Sequence, residues 1–171
     1  MNYYISDIHF SDSRIMKLCD RPFMNTYEMD EYIIKKWNET ISDSDDVYIL
    51  GDISKDYMPE IYKRLKGNKY LILGNHDYDF KDELASCHIF EEVIDIKTIV
   101  DENKKVVLFH YPIMDWEDSQ YGSIHLYGHI HNKDLPDIYR YYVGKNAYNV
   151  SCDVNDFRPV SLKELIEKRG A

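Results

Sequence analysis

The chain has 171 residues, 44% of them hydrophobic, which is enough to bury one sizeable core, and a single domain over residues 1–171 is expected. Its formal net charge is −10, from 31 acidic and 21 basic residues. A protein that binds duplex nucleic acid normally carries a basic face, so this balance argues against tight nonspecific binding of nucleic acid.

The cysteines and the N-terminus give an expectation for the cellular compartment of the protein. Cys19, Cys87 and Cys152 are widely spaced and odd in number, and with no CxxC pair they indicate neither a zinc ribbon nor a disulfide framework. The N-terminus lacks the basic and apolar segments of a signal peptide, and no apolar run approaches the length of a membrane span. We therefore expect a cytoplasmic protein with no membrane partner.

The first half of the sequence alternates strand and helix patterns. Predicted strands lie at 2–6, 47–50 and 70–73, and predicted helices at 27–41 and 59–65. Asn25 or Thr26 could cap the longer helix, and Gly67 with Asn68 marks a turn before the third strand. The polar segment 7–26 is too irregular for an element to be assigned. Such alternation is typical of βαβ units.

The second half is richer in β patterns. Predicted strands lie at 89–100, 104–109, 123–127 and 147–152. A tight polar turn at 101–103 joins the first two of them into a hairpin. Ser161 and Glu164 have the spacing of a capping box, which predicts a last helix over 162–168. The two halves together predict an α/β fold with mixed sheets flanked by helices.

Eight side chains of metal-ligand type stand at the ends of apolar, strand-like runs, often beside a glycine. They are Asp7, His9, Asp52, Asn75, His76, His110, His129 and His131. Strand ends are where an α/β scaffold presents polar groups to a common cleft. Carboxylate, amide oxygen and imidazole together suit two divalent ions close together better than one structural zinc.

A pair of such ions fits the hydrolysis of a phosphate ester. The reaction needs a deprotonated water, shielding of the phosphoryl oxygens and a proton for the leaving oxygen. Two ions about 3.5–4 Å apart supply the first two. Because the ions repel each other, a bridging carboxylate is needed between them, and Asp52, isolated after the turn-forming Gly51, is the candidate.

The blocks Asp-x-His, Gly-Asp, Gly-Asn-His-Asp, a single His and Gly-His-x-His follow one another from residue 7 to residue 131, and each is intact. In this order they resemble the signature of the calcineurin-like metallophosphoesterases, and the chain is most similar to the small single-domain bacterial and phage members. The resemblance implies a four-layer α/β/β/α sandwich of two mixed β-sheets flanked by helices. It also implies a hydrolase acting on phosphoric ester bonds.

The resemblance implies a role for each of these side chains. The ligands of one metal ion would be Asp7, His9, Asp52 and His131, and the ligands of the other would be Asp52, Asn75, His110 and His129. His76 would contact the phosphate and assist the leaving group, and Asp77 would fix the tautomer and orientation of His76. The ligand types suit manganese, iron, nickel or zinc.

Two further groups are candidates for contact with substrate. Arg21, in the loop between the first strand and the first helix, could pair bidentately with a phosphate, although an ordinary ion pair is the favoured reading in a chain so rich in acids. The tyrosine-rich cluster 139–142 could stack on a base or form part of a lid, or it could belong to an edge hairpin.

Three functions fit the constellation. The first is hydrolysis of a phosphomonoester or phosphodiester, with a small molecule such as a nucleotide as the partner. The second is a nuclease of the same fold, against which the acidic charge weighs. The third is a scaffold that kept the fold and lost the chemistry, against which the presence of His76 and Asp77 weighs. The sequence leaves the oligomeric state open.

Overall fold

The computed structural model describes residues 1–137, 141 and 146–170. Its strands are β1 (Asn2–Ile5), β2 (Asp46–Leu50), β3 (Asn68–Ile72), β4 (Glu92–Ile94), β5 (Ile96–Asp101), β6 (Lys104–Phe109), β7 (Ile124–Tyr127) and β8 (Ala147–Asn149). Its helices are α1 (Ser13–Leu18), α2 (Thr26–Thr40), α3 (Pro59–Tyr62), α4 (Lys81–Ser86) and α5 (Leu162–Gly170). Short 3₁₀-helices lie at Asp77–Phe80, Ser119–Tyr121 and Cys152–Val154. Within the tyrosine-rich cluster, Tyr141 is exposed, and 139, 140 and 142 lie outside the described residues.

The strands form two four-stranded sheets. The first has the order β1-β2-β3-β4 with parallel neighbours, and an isolated antiparallel bridge joins Tyr4 of β1 to Val160. The second has the order β5-β6-β7-β8, in which β5 and β6 are antiparallel and the other neighbours are parallel. Two sheets with flanking helices confirm the predicted α/β class.

The first sheet is buried on both faces, which explains why its strands are almost continuously apolar. Ile5 and Ile49 contribute to a core shared with α2, whose Trp37 is fully buried there. Their strand neighbours Tyr4 and Leu50 contribute to a second core, shared with β6, β7 and α5. The alternation of side chains along each strand therefore serves two cores at once.

Two helices begin at the caps that the sequence predicts. The side chain of Asn25 accepts a hydrogen bond from the Glu28 amide at 2.9 Å, at the start of α2. Before α5, the Ser161 amide donates to Glu164 Oε2 at 2.8 Å, and the Glu164 amide donates to Ser161 Oγ at 3.3 Å. This reciprocal pair is the predicted capping box.

The structure differs from the sequence prediction in the centre of the chain. The single strand predicted at 89–100 is divided between the two sheets, because β4 belongs to the first sheet and β5 to the second, with Asp95 between them. The short helices α1 and α4 were not predicted from the sequence, and α3 ends at Tyr62, short of the predicted 65. The last strand is also shorter than predicted, since the chain turns into a 3₁₀-helix at Cys152.

The topology brings the predicted site residues to one edge. β1, β2 and β3 run parallel and in register, so Asp7, Asp52 and Asn75 follow carboxyl ends that lie side by side. β6 and β7 are also parallel, and His110 and His129 follow their carboxyl ends in the second sheet. Both sheets thus contribute to one cleft.

The structure also describes the cysteines and the apolar content of the helices. Cys19, Cys87 and Cys152 are free thiols, two of them buried. Within the described part of the chain, the helices are too short or too polar to cross a membrane.

Candidate metal centre

The loops that follow the strands have an unusual backbone. Five site residues that are not glycine have positive φ angles, which places them in the left-handed region: Asp7 (54°), His9 (53°), Asp52 (55°), His129 (70°) and His131 (54°). Aspartate and histidine tolerate this conformation better than most residues, yet it is still uncommon. Backbone hydrogen bonds hold the loops together, from the Asp7 amide to the Gly51 carbonyl and from the His9 amide to the Asp52 carbonyl, both at 3.0 Å. Strain of this kind concentrates at functional sites.

Two glycines allow these loops to approach each other. A Cβ on Gly51, whose φ is +84°, would lie 2.5 Å from the Gly74 Cα and 2.7 Å from His110 Nδ1. A Cβ on Gly74 would lie 2.6 Å from the Asp52 amide nitrogen. These distances are too short for any side chain, so close packing requires both glycines, and the positive φ of Gly51 favours glycine there as well.

The replacement Gly74→Ala is expected to destabilise the protein by about 1–3 kcal/mol, because the new methyl group must displace the Asp52 backbone. Urea unfolding measures this loss, and metal content measures the effect on the site. Gly122→Ala is the control for metal content, since its φ of +90° strains the backbone but a Cβ there meets no atom within 4 Å. If both variants bound metal ions as the wild type does, close packing around Gly74 would not matter for the site.

Asp7, His9 and His131 form the first ligand cluster. One ligand atom from each lies within 4.8 Å of the others. His131 Nε2 is 3.9 Å from Asp7 Oδ1, and His9 Nε2 is 3.5 Å from Asp52 Oδ2. All of these side chains are buried.

Asp52, His110 and His129 form the second cluster, again with ligand atoms within 4.8 Å of one another. His110 Nε2 is 3.5 Å from Asp52 Oδ2, the oxygen that also faces the first cluster. Asn75 Oδ1 lies 3.2 Å from His110 Nε2 and 3.1 Å from His129 Nδ1. The structure therefore brings all seven predicted ligands together and puts Asp52 between the two clusters.

The ring of His9 tests whether this arrangement fits a metal ion. Both of its nitrogens are buried without a hydrogen-bond partner. Burial, with the nearby His131 and Arg21, lowers the pKa of His9 well below its usual value, so the ring is neutral. A buried polar group without a partner is costly, and a neutral imidazole is the form that binds metals. The donor set consequently fits a divalent cation.

Hydrogen bonds fix which nitrogen two of the other rings present to the site. His110 Nδ1 lies 2.7 Å from the Leu50 carbonyl, so it carries the proton and leaves Nε2 toward Asp52. His131 Nδ1 lies 2.8 Å from Asp153 Oδ2, which leaves Nε2 toward Asp7. Burial opposes a charge on His131, but its hydrogen bonds to Asp153 and Cys19 and the charge of Asp7 raise its pKa to about 10. A cation binding at Nε2 would displace that proton.

His76 lies at the border of the site. It is half-buried, and its ring is 5.1 Å from the His9 ring in an edge-on arrangement. Its amide donates to Asp52 Oδ1 at 2.9 Å. A ligand-type atom of its ring lies within 4.8 Å of those of His9 and Asp52, so the ring can reach a group bound between the clusters.

The contacts of Asp77 correct the role expected for it. Its carboxylate oxygens accept hydrogen bonds from the amides of Asp52 (2.8 Å), Ile53 (3.1 Å) and Gly74 (2.8 Å) instead of contacting the His76 ring. Burial raises the pKa of Asp77 to about 6, although these amides oppose the shift. Asp77 thus joins the Gly51–Asp52 loop to the Gly74 loop and does not set the tautomer of His76.

The position of Arg21 rules out the candidate contact with substrate and bears out the favoured interpretation, an ion pair. Its side chain is fully buried, and its guanidinium donates to both oxygens of Asp153 at 2.7 and 2.9 Å. It also donates to the carbonyls of Asp7 (2.6 Å) and Ile8 (2.7 Å). With these partners, the guanidinium has no free face for a phosphate.

Asp153 was missed in the sequence because it belongs to none of the motifs. It follows β8 in a 3₁₀-helix and lies 132 residues from Arg21 along the chain, so no local spacing connects the two. Burial opposes its charge, but hydrogen bonds from His131 and Arg21 lower its pKa to about 2.

Divalent ions are expected to stabilise the folded protein. At a free ion concentration 100 times the dissociation constant, one site adds about 2.7 kcal/mol, which raises the unfolding midpoint by roughly 5–10 °C for a domain of this size. Thermal unfolding of chelator-treated protein with and without manganese measures the shift. The rise should be smaller in His9→Ala, and a wild-type midpoint that does not respond to any divalent ion would argue against the site.

Known proteins match the part of the chain that carries the candidate metal centre. A sequence model of the calcineurin-like phosphoesterases matches residues 3–149, a range that contains every site motif. The chain is 34% identical over 174 residues to an uncharacterized protein of Methanocaldococcus jannaschii, covering 97% of this chain and 91% of that protein. It is 26% identical over 160 residues to the gene 66 protein of Mycobacterium phage D29, covering 77% of this chain and 78% of that protein.

A solved structure supports the fold over the whole length. The crystal structure of a protein of unknown function from Aquifex aeolicus superposes with a TM-score of 0.77 at 26% identity, covering 98% of each chain. The two proteins therefore share the arrangement of sheets and helices described above.

Proposed function

Because the chain belongs to the calcineurin-like phosphoesterase family, whose members are metal-dependent hydrolases of phosphoester bonds, we propose that it hydrolyses a small phosphomonoester or phosphodiester at a centre of two divalent ions. The proposed ligands of one ion are Asp7, His9, Asp52 and His131. The proposed ligands of the other are Asp52, Asn75, His110 and His129. Manganese, iron, nickel and zinc all suit these donors.

One observation carries the proposal. Asp52 Oδ2 lies 3.5 Å from a ring nitrogen of His9 and 3.5 Å from a ring nitrogen of His110, which belong to different clusters. A carboxylate that faces donors of both clusters is suited to bridge two cations and to reduce their mutual repulsion. When bound, such ions would shield the phosphoryl oxygens and lower the pKa of a coordinated water.

The chain's own residues would supply the proton for the leaving oxygen and would hold the ligand loops in place. The half-buried ring of His76, beside His9, is placed to donate a proton to the leaving oxygen. Asp77 would keep the loops of Asp52 and Gly74 at a fixed separation through its three amide hydrogen bonds. Asn75, which is exposed, combines a proposed ligand role with a position at the opening of the cleft.

The surroundings of the cleft favour a small substrate. The half-buried ring of Tyr111 lies 4.6 Å from the His129 ring and offers an apolar face to a base or aryl group beside the phosphate. The net charge of −10 disfavours a long polyanion. We propose accordingly a small-molecule phosphoesterase, acting in the cytoplasm as a single domain.

A metal-supplemented assay tests the proposal. Chelator-treated protein is incubated with p-nitrophenyl phosphate, bis(p-nitrophenyl) phosphate and cyclic nucleotides, with and without manganese or nickel. We expect metal-dependent release of product from at least one of these esters. Protein that retains two ions per chain but hydrolyses none of them would contradict the proposal.

The same preparations distinguish the proposed phosphoesterase from a nuclease and from a scaffold. A nuclease of this fold would cleave single-stranded DNA faster than the small esters. A scaffold without chemistry would bind fewer than two ions per chain and would show no hydrolysis with any metal.

A further inference from the structure

Arg21 and Asp153 form a buried ion pair behind the first ligand cluster. The side chains are 0% and 2% exposed, and two parallel hydrogen bonds of 2.7 and 2.9 Å join the guanidinium to the carboxylate. Burying two charges costs several kcal/mol of desolvation for each ion, and replacement by apolar residues is often neutral or stabilising. Stability alone therefore does not explain the pair.

The contacts of the pair point to one ion site. Asp153 Oδ2 accepts from His131 Nδ1 at 2.8 Å, and the guanidinium of Arg21 donates to the carbonyls of Asp7 and Ile8. The pair thereby contacts both loops of the first cluster, the loop that carries Asp7 and His9 and the loop that carries His131.

In the second cluster, the ring of His110 is oriented by a different kind of partner. His110 donates through Nδ1 to the backbone carbonyl of Leu50 at 2.7 Å. A backbone carbonyl at the end of β2 therefore orients the His110 ring, so no single side-chain substitution removes its partner. His131 of the first cluster and His110 of the second therefore differ in what holds their rings.

We propose that Arg21 and Asp153 are positioning residues for one ion only, the ion assigned to the Asp7, His9, Asp52 and His131 set. This inference rests on the proposed function, because it presupposes two ion sites. A carboxylate on the outer nitrogen of a ligand histidine fixes the ring and increases the basicity of the inner nitrogen, and losing such a partner costs about 10–100-fold in metal affinity. Arg21 in turn holds the carboxylate and the Asp7 loop in one arrangement.

Metal titration of Asp153→Asn tests the inference. Chelator-treated wild type and variant are titrated with manganese by calorimetry, and bound metal is counted after dialysis. We expect two ions in the wild type, and in the variant one ion of unchanged affinity and one bound about 10–100-fold more weakly. Glu31→Gln is the control for loss of a carboxylate paired with an arginine, because Glu31 binds Arg64 through two hydrogen bonds of 2.7 Å at the surface and lies outside the site.

A double-mutant cycle separates positioning from general destabilisation. If Asp153 acts through His131, Asp153→Asn should add less than about a threefold loss of affinity to His131→Ala. Equal weakening of both ions, unchanged affinity in Asp153→Asn, or fully additive losses would each overturn the inference. Failure of the wild type to bind ions would instead contradict the proposed function.

A measurement on the wild type does not depend on a folded variant. In zinc-loaded protein labelled with ¹⁵N-histidine, the His131 ring should carry its proton on Nδ1, the nitrogen that faces Asp153. Nuclear magnetic resonance distinguishes the two ring nitrogens. A proton on Nε2 of His131 in the loaded protein would overturn the proposed arrangement.

Discussion

Asp52→Asn is expected to reduce metal-dependent ester hydrolysis about a thousandfold, equivalent to about 4 kcal/mol of transition-state stabilisation. The amide has nearly the same shape, but it lacks the negative charge that would hold two cations together. Asp52 Oδ2 faces His9 and His110 at 3.5 Å, so its loss should affect both proposed sites. Steady-state kinetics and metal content, measured on the same preparation, check the prediction.

Asp101→Asn is the control for this substitution. Asp101 is half-buried and accepts a hydrogen bond from the Tyr4 hydroxyl at 2.7 Å, at the opposite end of the second sheet from His110. Its replacement should leave the metal content and kcat unchanged. Wild-type activity and two retained ions in Asp52→Asn would exclude the bridging role.

His76→Asn is expected to lower kcat between about a hundredfold and ten-thousandfold while both ions stay bound. The ring borders the site without belonging to the proposed ligand sets, so its removal should affect proton donation and not metal affinity. His88→Asn is the control, since His88 is exposed and its φ of 55° is one that asparagine tolerates.

The leaving group gives a sharper test of His76. An acidic phenol leaves readily without a proton, whereas an alcohol requires one. Loss of His76 should therefore slow the hydrolysis of alkyl esters much more than that of p-nitrophenyl esters. An equal loss for both classes would indicate that His76 binds the phosphate without protonating the leaving oxygen.

Elements with strong local signals could be predicted from the sequence. The helix α2 has a cap at Asn25 and an apolar face that includes Met29, Ile33 and Trp37, and the last helix has its capping box. The helix α1 could not be predicted in the same way, because Ile15 is its one buried residue. The division between β4 and β5 at Asp95 depends on which sheet each half joins, which is a tertiary preference without a local pattern.

The clustering of the seven candidate ligands could be predicted because each of them stands beside a strand end or a glycine that the sequence shows. The groups behind the ligands could not, because they act over long separations in the chain. Asp153 meets His131 and Arg21 only when the two sheets are assembled. Asp77 was predicted to face the neighbouring His76, yet it binds backbone amides, which have no sequence signature.

The left-handed backbone of the ligand loops restricts which donors the site can accept. Asp7, His9, Asp52, His129 and His131 all have φ between 53° and 70°. In this region, aspartate, asparagine and histidine are several-fold enriched, whereas other side chains cost about 1–2 kcal/mol. Replacing a ligand by cysteine would thus strain the main chain before any metal bound. In the proposed centre, a preference for hard and borderline cations over soft, thiolate-seeking ones would therefore be encoded in the backbone conformation as well as in the side chains.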